Sequence, residues 1–383
     1  MSFDLTEEQQ MLRDTCRQFA AAELQPNAKT WDHAHEFPAA AVRKCAELGL
    51  FGVAIPEAWG GAAMDNVAYA LAIEEISRGC ASVGVTLSVN NSLYCDPVYK
   101  YGSDAVKERF LRPFASGEKL GCFGLTEPNA GSDAAEQKTT AVRKRDVYLV
   151  NGTKNWITNG PVADAMVLFT ITDPTKGVKG ITAFVVDINS PGFLRQPKDE
   201  KLGICASPSC TIFFENLEVP AAQRLGLEGE GFKVAMSTLD GGRIGIAAQA
   251  VGIARGAFEE ARDYSKVRNT FGVPIAQHQA IQIKLADMAT RTEASRLLVR
   301  RAAEMYDRGD RCDMEAGMAK LFATETALEN ATEAMRVHGG YGYSTEFPVE
   351  RLYRDAPLLV IGEGTNELQR IIIARQLVAR NPV

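Results

Sequence analysis

The sequence predicts a mainly α-helical protein with a central antiparallel β domain, in the order helical bundle, β barrel or sandwich, helical bundle. Apolar residues recur at helical spacing in the first and last thirds of the chain. Between about Leu120 and Pro220, short β-branched and aromatic runs alternate with turn residues. A length of 383 residues suits two or three domains. We expect domains at residues 1–119, 120–226 and 227–383.

The first third predicts four helical segments. Thr6 and Gln9 form a capping-box pattern before a helix whose apolar positions continue to Pro26. Further amphipathic runs cover Ala39–Leu50, Val67–Ser77 and, after a glycine-containing break, Ser88–Tyr101.

The middle third predicts strands. Val147–Val150 precedes an Asn151-Gly152 turn signal, and later runs are Ala165–Ile171, Gly180–Val186 and Cys210–Glu215. No helix-length segment separates these runs, which disfavours a parallel α/β sheet. An antiparallel arrangement fits better.

After Gly229-Glu230-Gly231 the helical pattern returns, with short turns between segments. The predicted helices are Phe232–Leu239, Ile244–Lys266, Gln279–Asp307, Met314–His338 and Glu367–Arg380.

Composition excludes several classes of function. A net charge of −6 argues against a nucleic-acid coat or a polybasic membrane surface. The apolar stretch around Ile244–Ala254 is too short to span a bilayer, and the first residues show no secretion signal. The eight cysteines are scattered and predict reduced, buried thiols, while His33 and His35 predict a surface pair rather than a metal site. We expect a cytoplasmic, soluble protein without a metal, nucleic-acid partner or membrane insertion.

The usual nucleotide-binding signatures, G-x-G-x-x-G and G-x-x-x-x-G-K-[ST], are absent from the sequence. Three other segments are candidates for chemistry. Phe123–Asp133 could present backbone donors to a phosphate or ring edge, or be a solvated turn. Trp156-Ile157-Thr158 could wall a planar cofactor, or pack in a core. Glu363, between Gly362 and Gly364 and before a helix capped by Thr365 or Asn366, could be a base or a solvent-facing loop carboxylate.

Six motifs occur together and in order. They are Phe123–Ser132, Trp156–Thr158, Leu239-Asp240-Gly241-Gly242-Arg243, Arg268-x-Thr270-Phe271-Gly272, His338-Gly339-Gly340-Tyr341-Gly342 and Glu363-Gly364-Thr365. On these residues the chain resembles the acyl-CoA dehydrogenase family over essentially its whole length. Through Ser88–Tyr94 it is most similar to the short-chain, butyryl-CoA branch.

The resemblance implies one non-covalent FAD per subunit in a homotetramer built as a dimer of dimers. The residues that match FAD-binding positions of the family are Phe123, Leu125, Thr126, Ser132, Trp156, Ile157, Thr158, Arg268, Phe271, Gln279, Arg336, Val337, His338, Gly339, Gly340, Thr365, Asn366 and Glu367. Those that match acyl-CoA-binding positions are Ser132, Asp240, Arg243 and Gly364.

The implied reaction is α,β-dehydrogenation of an acyl-CoA thioester to the trans-2-enoyl-CoA. Glu363 would remove the α-proton while a hydride leaves the β-carbon for flavin N5, and an electron-transferring flavoprotein would accept the electrons. Some relatives carry the base at the position of Gly242, which has no side chain to act. The resemblance therefore assigns the base to Glu363. It leaves open a bacterial cytoplasmic protein or a processed mitochondrial-matrix form.

Three positions depart from the butyryl-type pattern. Gly362 replaces a common Tyr, Asp96 lies where an apolar or neutral residue is usual, and Arg336 replaces a Gln that often contacts FAD. A branched or alicyclic substrate, with Asp96 in the acyl chamber, is therefore an alternative to a short linear one. Asp96 could equally be a capping or surface carboxylate before Pro97. An acyl-CoA oxidase and a non-catalytic flavin or acyl-CoA binder are further alternatives.

Overall fold

The computed structural model describes residues 4–382, and its first part is an assembly of helices. The capping box at Thr6 and Gln9 is confirmed, since each side chain accepts a hydrogen bond from the other residue's backbone N–H. The helices are α1 (Glu7–Phe19), α2 (Ala28–Ala34), α3 (Ala39–Glu47), α4 (Asn66–Gly79), α5 (Ala81–Ser88), α6 (Asp96–Tyr101), α7 (Asp104–Phe110) and α8 (Arg112–Ala115), with π-helical turns at Ala20–Leu24 and Val89–Cys95.

The middle part is one eight-stranded sheet. Its strands are β1 (Gly121–Gly124), β2 (Thr140–Lys144), β3 (Val147–Thr158), β4 (Ala165–Ile171), β5 (Ile181–Asp187), β6 (Phe193–Lys198), β7 (Ser209–Pro220) and β8 (Arg224–Leu225). They pair in the order β6-β7-β3-β2-β4-β5-β8, and β1 pairs with β4. The pairs are antiparallel as predicted, except that β1 and β2 each run parallel to β4.

The Asn151-Gly152 turn prediction is wrong, because β3 continues through both residues. The hairpin between β2 and β3 turns instead at Arg145, whose φ is +55°. Asn151 Oδ1 accepts a 2.8 Å hydrogen bond from the Asn216 N–H, where the pairing of β3 with β7 shifts register. Gly152 has φ +150°, and a Cβ there would lie 2.5 Å from Thr139 Oγ1. Glycine thus serves a bulge here, and not a turn.

The last part is again helical, and two predictions need correction. It comprises α9 (Gly231–Val267), a small hairpin of β9 (Asn269–Thr270) and β10 (Val273–Pro274), α10 (Gln279–Asp307), α11 (Asp313–His338), α12 (Val349–Ile361) and α13 (Asn366–Arg380). Two helices predicted on either side of Gly241-Gly242 are one 37-residue helix, α9. Helix α12, which contains Pro357, was not predicted because that proline interrupts its pattern.

The described helices include none that is long and apolar enough to cross a membrane. All eight cysteines are buried and free, as predicted, and burial raises the pKa of Cys80 to about 11. His33 and His35 are both exposed, which agrees with the predicted surface pair.

Two buried asparagines join the sheet to the first helices. Asn90 donates to the carbonyls of Phe51 and Phe114, and its Oδ1 accepts from the Gly121 N–H at 2.8 Å. Asn159, at the end of β3, donates to the carbonyls of Thr86 and Gly121. Buried backbone groups that leave secondary structure need such partners. These amides therefore set where β1 and β3 lie against α5 and the π-helical turn Val89–Cys95.

We predict that Asn90→Ala strongly destabilises the protein. The substitution removes three buried hydrogen bonds to backbone groups, and we expect a loss of about 2–4 kcal/mol in the free energy of unfolding. Urea or thermal unfolding followed by circular dichroism measures it, with the exposed Asn189→Ala as the matched control. Equal stability of both variants would contradict the linking role of Asn90.

Candidate active site

Glu363 lies in the short connection between α12 and α13. Its φ is +54° and that of Gly364 is +89°, so two consecutive residues adopt the left-handed region. Thr365 then caps α13, with its Oγ1 accepting from the Leu368 N–H. A non-glycine residue in the left-handed region carries strain and needs surrounding support.

That support comes from a buried polar network. Lys320 Nζ donates to the Gly364 carbonyl at 2.9 Å and to Asn366 Oδ1 at 2.8 Å. Gln369 Nε2 donates to the same Gly364 carbonyl at 3.1 Å and to the Glu363 carbonyl at 3.5 Å. Thr324 bonds the Asn366 amide from α11. Side chains of α11 and α13 therefore hold the backbone on which Glu363 stands.

The Glu363 carboxyl group is oriented toward α9. A Cβ built on Gly242 would collide with Glu363 Oε2 and would lie 2.7 Å from Leu93 Cδ2. The glycine therefore leaves the space that this carboxyl oxygen uses. Oε2 is buried and has no hydrogen-bond partner among the described residues. A buried carboxyl oxygen without a partner needs an explanation, and a catalytic role is one of the possible explanations.

Burial raises the pKa of Glu363 to about 7, against the opposing charges of Lys320 and Arg243. A carboxyl group with this pKa is partly ionised at neutral pH, while its protonated form is also accessible. That is the property required of a general base working near pH 7.

The predicted loop Phe123–Asp133 is held by a second buried lysine. Lys154, on β3, donates to the Leu125 carbonyl at 3.0 Å, to Glu127 Oε1 at 2.8 Å and to Gln137 Oε1 at 3.1 Å. Burial lowers the pKa of Lys154 to about 8, and the adjacent Glu127 opposes the shift. These contacts order the loop from Leu125 to Gln137.

The structure brings this loop beside Trp156-Ile157-Thr158. The Asn155 N–H donates to the Thr126 carbonyl at 2.8 Å. The pairing of β3 with β7 shifts register between Lys154 and Ile157, and Trp156 sits in that bulge with φ +58°. Trp156 is 59% exposed, whereas Ile157 is buried and Thr158 half-buried. A large aromatic side chain exposed at a strand bulge offers a face to a planar ligand.

Within that loop, Leu125 is buried, Phe123 and Thr126 are half-buried, and Ser132 is exposed. Two neighbouring residues at the start of α13 also differ in exposure. Asn366 is buried in the polar network, while Glu367 is exposed. Backbone and Thr365 hydrogen bonds at the helix start lower the pKa of Glu367.

Asp240 and Arg243 pair with each other on α9. Arg243 Nη1 and Asp240 Oδ1 are 2.8 Å apart, and Arg243 is buried next to the Gly242 position that faces Glu363. Burial raises the pKa of Asp240 to about 6, and Arg243 opposes the shift. Arg243 Nε is buried and has no hydrogen-bond partner among the described residues.

Asp96 belongs to a different cluster. Lys100 Nζ lies 3.0 Å from Asp96 Oδ1, and the Tyr306 hydroxyl donates to Asp96 Oδ2 at 3.1 Å. Burial raises the pKa of Asp96, and Lys100 and Tyr306 oppose the shift. Both carboxylate oxygens therefore have partners, and Asp96 begins α6 with no helix break before Pro97.

The remaining predicted cofactor residues lie between the end of α9 and the start of α10, and at the end of α11. Phe271 is 96% exposed on the β9–β10 hairpin, and Arg268, Gln279, Arg336, Gly339 and Gly340 are also exposed. Val337 and His338 are buried instead, and the His338 ring stacks on Tyr264 at 4.1 Å. A ligand at this surface would meet the exposed members and not those two side chains.

Sequence reasoning missed Lys320 and Lys154, the two buried lysines that organise the site. The helical spacing does carry a signal for Lys320, because Lys320 shares a face of α11 with the buried Ala316, Ala323 and Ala327. A lysine among small apolar residues on the buried face of a helix indicates a buried ammonium with polar partners. Which partners it meets depends on α13, far along the chain.

Comparisons with known proteins agree with this architecture. Residues 6–118, 122–217 and 229–378 match the family models of the acyl-CoA dehydrogenase N-terminal, middle and C-terminal domains. The short-chain specific acyl-CoA dehydrogenase, mitochondrial, of Homo sapiens is 50% identical over 377 residues, which cover 98% of this chain and 92% of that protein.

Two solved structures are also similar. Butyryl-CoA dehydrogenase from Megasphaera elsdenii superposes with a TM-score of 0.97 at 43% identity, covering 99% of this chain and 100% of that one. A glutaryl-CoA dehydrogenase from Mycobacterium smegmatis in complex with FADH2 gives a TM-score of 0.93 at 31% identity, covering 98% and 95% respectively. The chain therefore belongs to the acyl-CoA dehydrogenase family of oxidoreductases.

Proposed function

We propose that the protein catalyses FAD-dependent α,β-dehydrogenation of a short-chain acyl-CoA thioester, with Glu363 as the base. The observation that carries the proposal is the Glu363 carboxyl group, whose buried Oε2 has no partner and lies against the side-chain-free Gly242. Its pKa of about 7 suits proton abstraction near neutral pH. The human and Megasphaera relatives support the short-chain assignment through their names.

The residues at the β-domain surface fit an FAD. The exposed Trp156 ring and the Lys154-ordered loop lie side by side, joined by the bond from Asn155 to Thr126. An aromatic face next to an ordered loop with backbone donors suits a flavin ring. Phe123, Leu125, Thr126, Ser132, Trp156 and Thr158 would hold it. When bound, FAD supplies the acceptor for the hydride that leaves the substrate β-carbon.

In the proposed step, Glu363 Oε2 takes the proton from the substrate α-carbon. The two electrons of the α-C–H bond form the new double bond as the β-hydrogen leaves with its own pair, so the product is the trans-2-enoyl thioester. The acyl chain would exclude water from Glu363 and keep its pKa near the working pH. Asp240 and Arg243 would bind the CoA part of the substrate. An electron-transferring flavoprotein would accept the electrons, and the protein would assemble as a homotetramer.

A branched or alicyclic acyl group is a second candidate substrate, favoured by the space at Gly362. A Cβ at this position would meet Ile246 Cδ1 and Leu358 Cδ1 only at 4.0 Å, and the Leu358 carbonyl at 3.3 Å. A side chain there would require the Leu358 carbonyl to shift by a few tenths of an ångström, and its absence widens the region beside Glu363. Asp96 has both oxygens engaged by Lys100 and Tyr306, so this candidate rests on Gly362.

We predict that Glu363→Gln slows flavin reduction by acyl-CoA by about 10²–10⁴-fold, the usual contribution of a positioned base. Affinity for the acyl-CoA should change little, because the amide keeps the size of the side chain. Anaerobic bleaching of the flavin band after mixing with butyryl-CoA measures the rate. The exposed Glu200→Gln is the control, and a Glu363→Gln variant that bleaches at the wild-type rate would exclude this base.

We also predict that the rate of bleaching rises with pH through a limb near 7. The raised pKa leaves Glu363 protonated below this value and ionised above it, and only the ionised form accepts a proton. Each pH unit below the limb should reduce the rate by about tenfold. Stopped-flow rates across the pH range test this. A limb near the ordinary glutamate pKa of about 4.3 would show that bound substrate does not preserve the shift.

Finally, Gly362→Tyr should separate the two candidate substrates. The added ring would fill the space beside Ile246 and Leu358 and reduce bleaching by isobutyryl- or cyclohexanecarboxyl-CoA by about tenfold or more. Bleaching by butyryl-CoA should stay within about twofold, since a linear chain needs less width. If wild-type protein is bleached by butyryl-CoA alone, the second candidate is wrong.

A further inference from the structure

Lys320 places a buried ammonium group under the backbone of Glu363. The residue is fully buried on α11, and its Nζ bonds two neutral acceptors, the Gly364 carbonyl and Asn366 Oδ1. Neutral acceptors satisfy two of its three donors but leave its charge without an adjacent anion. A buried ammonium in that situation is costly unless a negative charge lies within electrostatic reach.

Glu363 is the main source of that negative charge. Burial lowers the pKa of Lys320 to about 8, and Glu363 is the largest influence that raises it again. The relation is reciprocal, because Lys320 is the largest influence that lowers the pKa of Glu363 against its own burial. Among residues 4–382, Lys320 forms no ion pair with a carboxylate, so the two groups act on each other across the loop and not through a direct bond.

The other charged and titratable groups around Lys320 and Glu363 do not replace Glu363 as the main negative charge that acts on Lys320. Arg243 also faces Glu363 from α9, but its guanidinium is paired with Asp240 at 2.8 Å. The remaining groups coupled to Glu363 or Lys320 are Tyr69 on α4, Glu325 on α11 and Glu367 on α13. Glu325 is paired with Arg370, Glu367 is exposed, and burial keeps the Tyr69 hydroxyl protonated.

We propose that Lys320 is a positioning residue for Glu363, which holds the left-handed loop through the Gly364 carbonyl and whose positive charge favours the ionised form of the Glu363 carboxyl group. One side chain thus serves both purposes: its hydrogen bond holds the loop, and its charge acts on the ionisation of the base. The catalytic consequence rests on the function proposed above, but the coupling between the two groups does not.

The first experiment reads the ionisation of Glu363 directly in the purified protein, with whatever cofactor it carries. The infrared C=O stretch of the protonated carboxyl group is titrated with pH, and the Glu363→Gln variant identifies the band. In Lys320→Gln and Lys320→Met the positive charge is lost. We expect the midpoint of this titration to move up by about one pH unit or more.

Gln369→Leu is the matched control for positioning alone. It removes a neutral donor to the same Gly364 carbonyl and leaves Lys320 charged. We expect slower flavin bleaching in Gln369→Leu with an unchanged pH limb. In Lys320→Gln, bleaching should be slower and the limb should lie about one unit higher, so that the rate at a pH below the limb falls by a further tenfold.

Three results would overturn the proposal. The first is a Glu363 midpoint in Lys320→Gln equal to that of the wild type, measured on folded protein of normal thermal unfolding. The second is an equal shift in Gln369→Leu, which would assign the effect to loop geometry. The third result concerns Lys320→Arg, which retains the positive charge and is used where neither neutral variant folds. A raised Glu363 midpoint in Lys320→Arg would also overturn the proposal.

Failure of the proposed function gives a different result. A wild-type protein that no acyl-CoA bleaches would refute the dehydrogenase assignment, while the infrared midpoints would still report the coupling of Lys320 with Glu363.

Discussion

The candidate active site depends on the left-handed turn at Glu363 and Gly364, which has to be held from several directions at once. Such a backbone persists only where the surrounding structure over-determines it. Here the Gly364 carbonyl accepts from both Lys320 and Gln369, and Thr365 caps the helix that follows. The carboxyl group is then directed at α9, against a residue with no side chain. Helices α9, α11, α12 and α13 thus all meet at this turn.

The long helix α9 makes this convergence possible. Its glycines are positions where other parts of the chain approach closely, and they do not end the helix. A Cβ built on Gly241 would lie 3.1 Å from the Tyr306 hydroxyl oxygen. Gly242 lies against Glu363 and Leu93. The cost of glycine in a helix, about 1 kcal/mol each, is offset by packing along the rest of the 37 residues. The same residues therefore shape the helix surface and the space beside the base.

Two buried lysines organise the site in parallel ways. Lys154 orders the loop that follows β1, and Lys320 orders the turn before α13. They differ in how their charge is balanced. Lys154 has the carboxylate of Glu127 at 2.8 Å, whereas Lys320 faces only neutral acceptors nearby and relies on the more distant Glu363. The direct pair favours the ionised forms of both Lys154 and Glu127, while the charge of Lys320 acts on Glu363 across the loop without a direct bond.

Local patterns in the sequence were sufficient for the features that depend on near neighbours. The capping box at Thr6, the bounds of β4 and α10, and the order of helical, β and helical regions all follow from side-chain period and cap chemistry. The set of motifs in order was enough to identify the family. By contrast, the local pattern predicts a turn at Gly152 and a helix break at Gly241-Gly242, and the structure has neither. The reason for these glycines lies in contacts with residues distant in sequence.

The sequence by itself therefore determined the element types, the family and the identity of Glu363 as the candidate base. Only the tertiary structure decided the environment of that base: the unpartnered Oε2, the space at Gly242, and the ammonium of Lys320 beneath the loop. It also paired Asp96 with Lys100 and Tyr306 and buried the side chains of Val337 and His338. The physical reason is that hydrogen bonding, burial and charge compensation depend on which segments meet in space, and four helices from separate parts of the chain meet at Glu363.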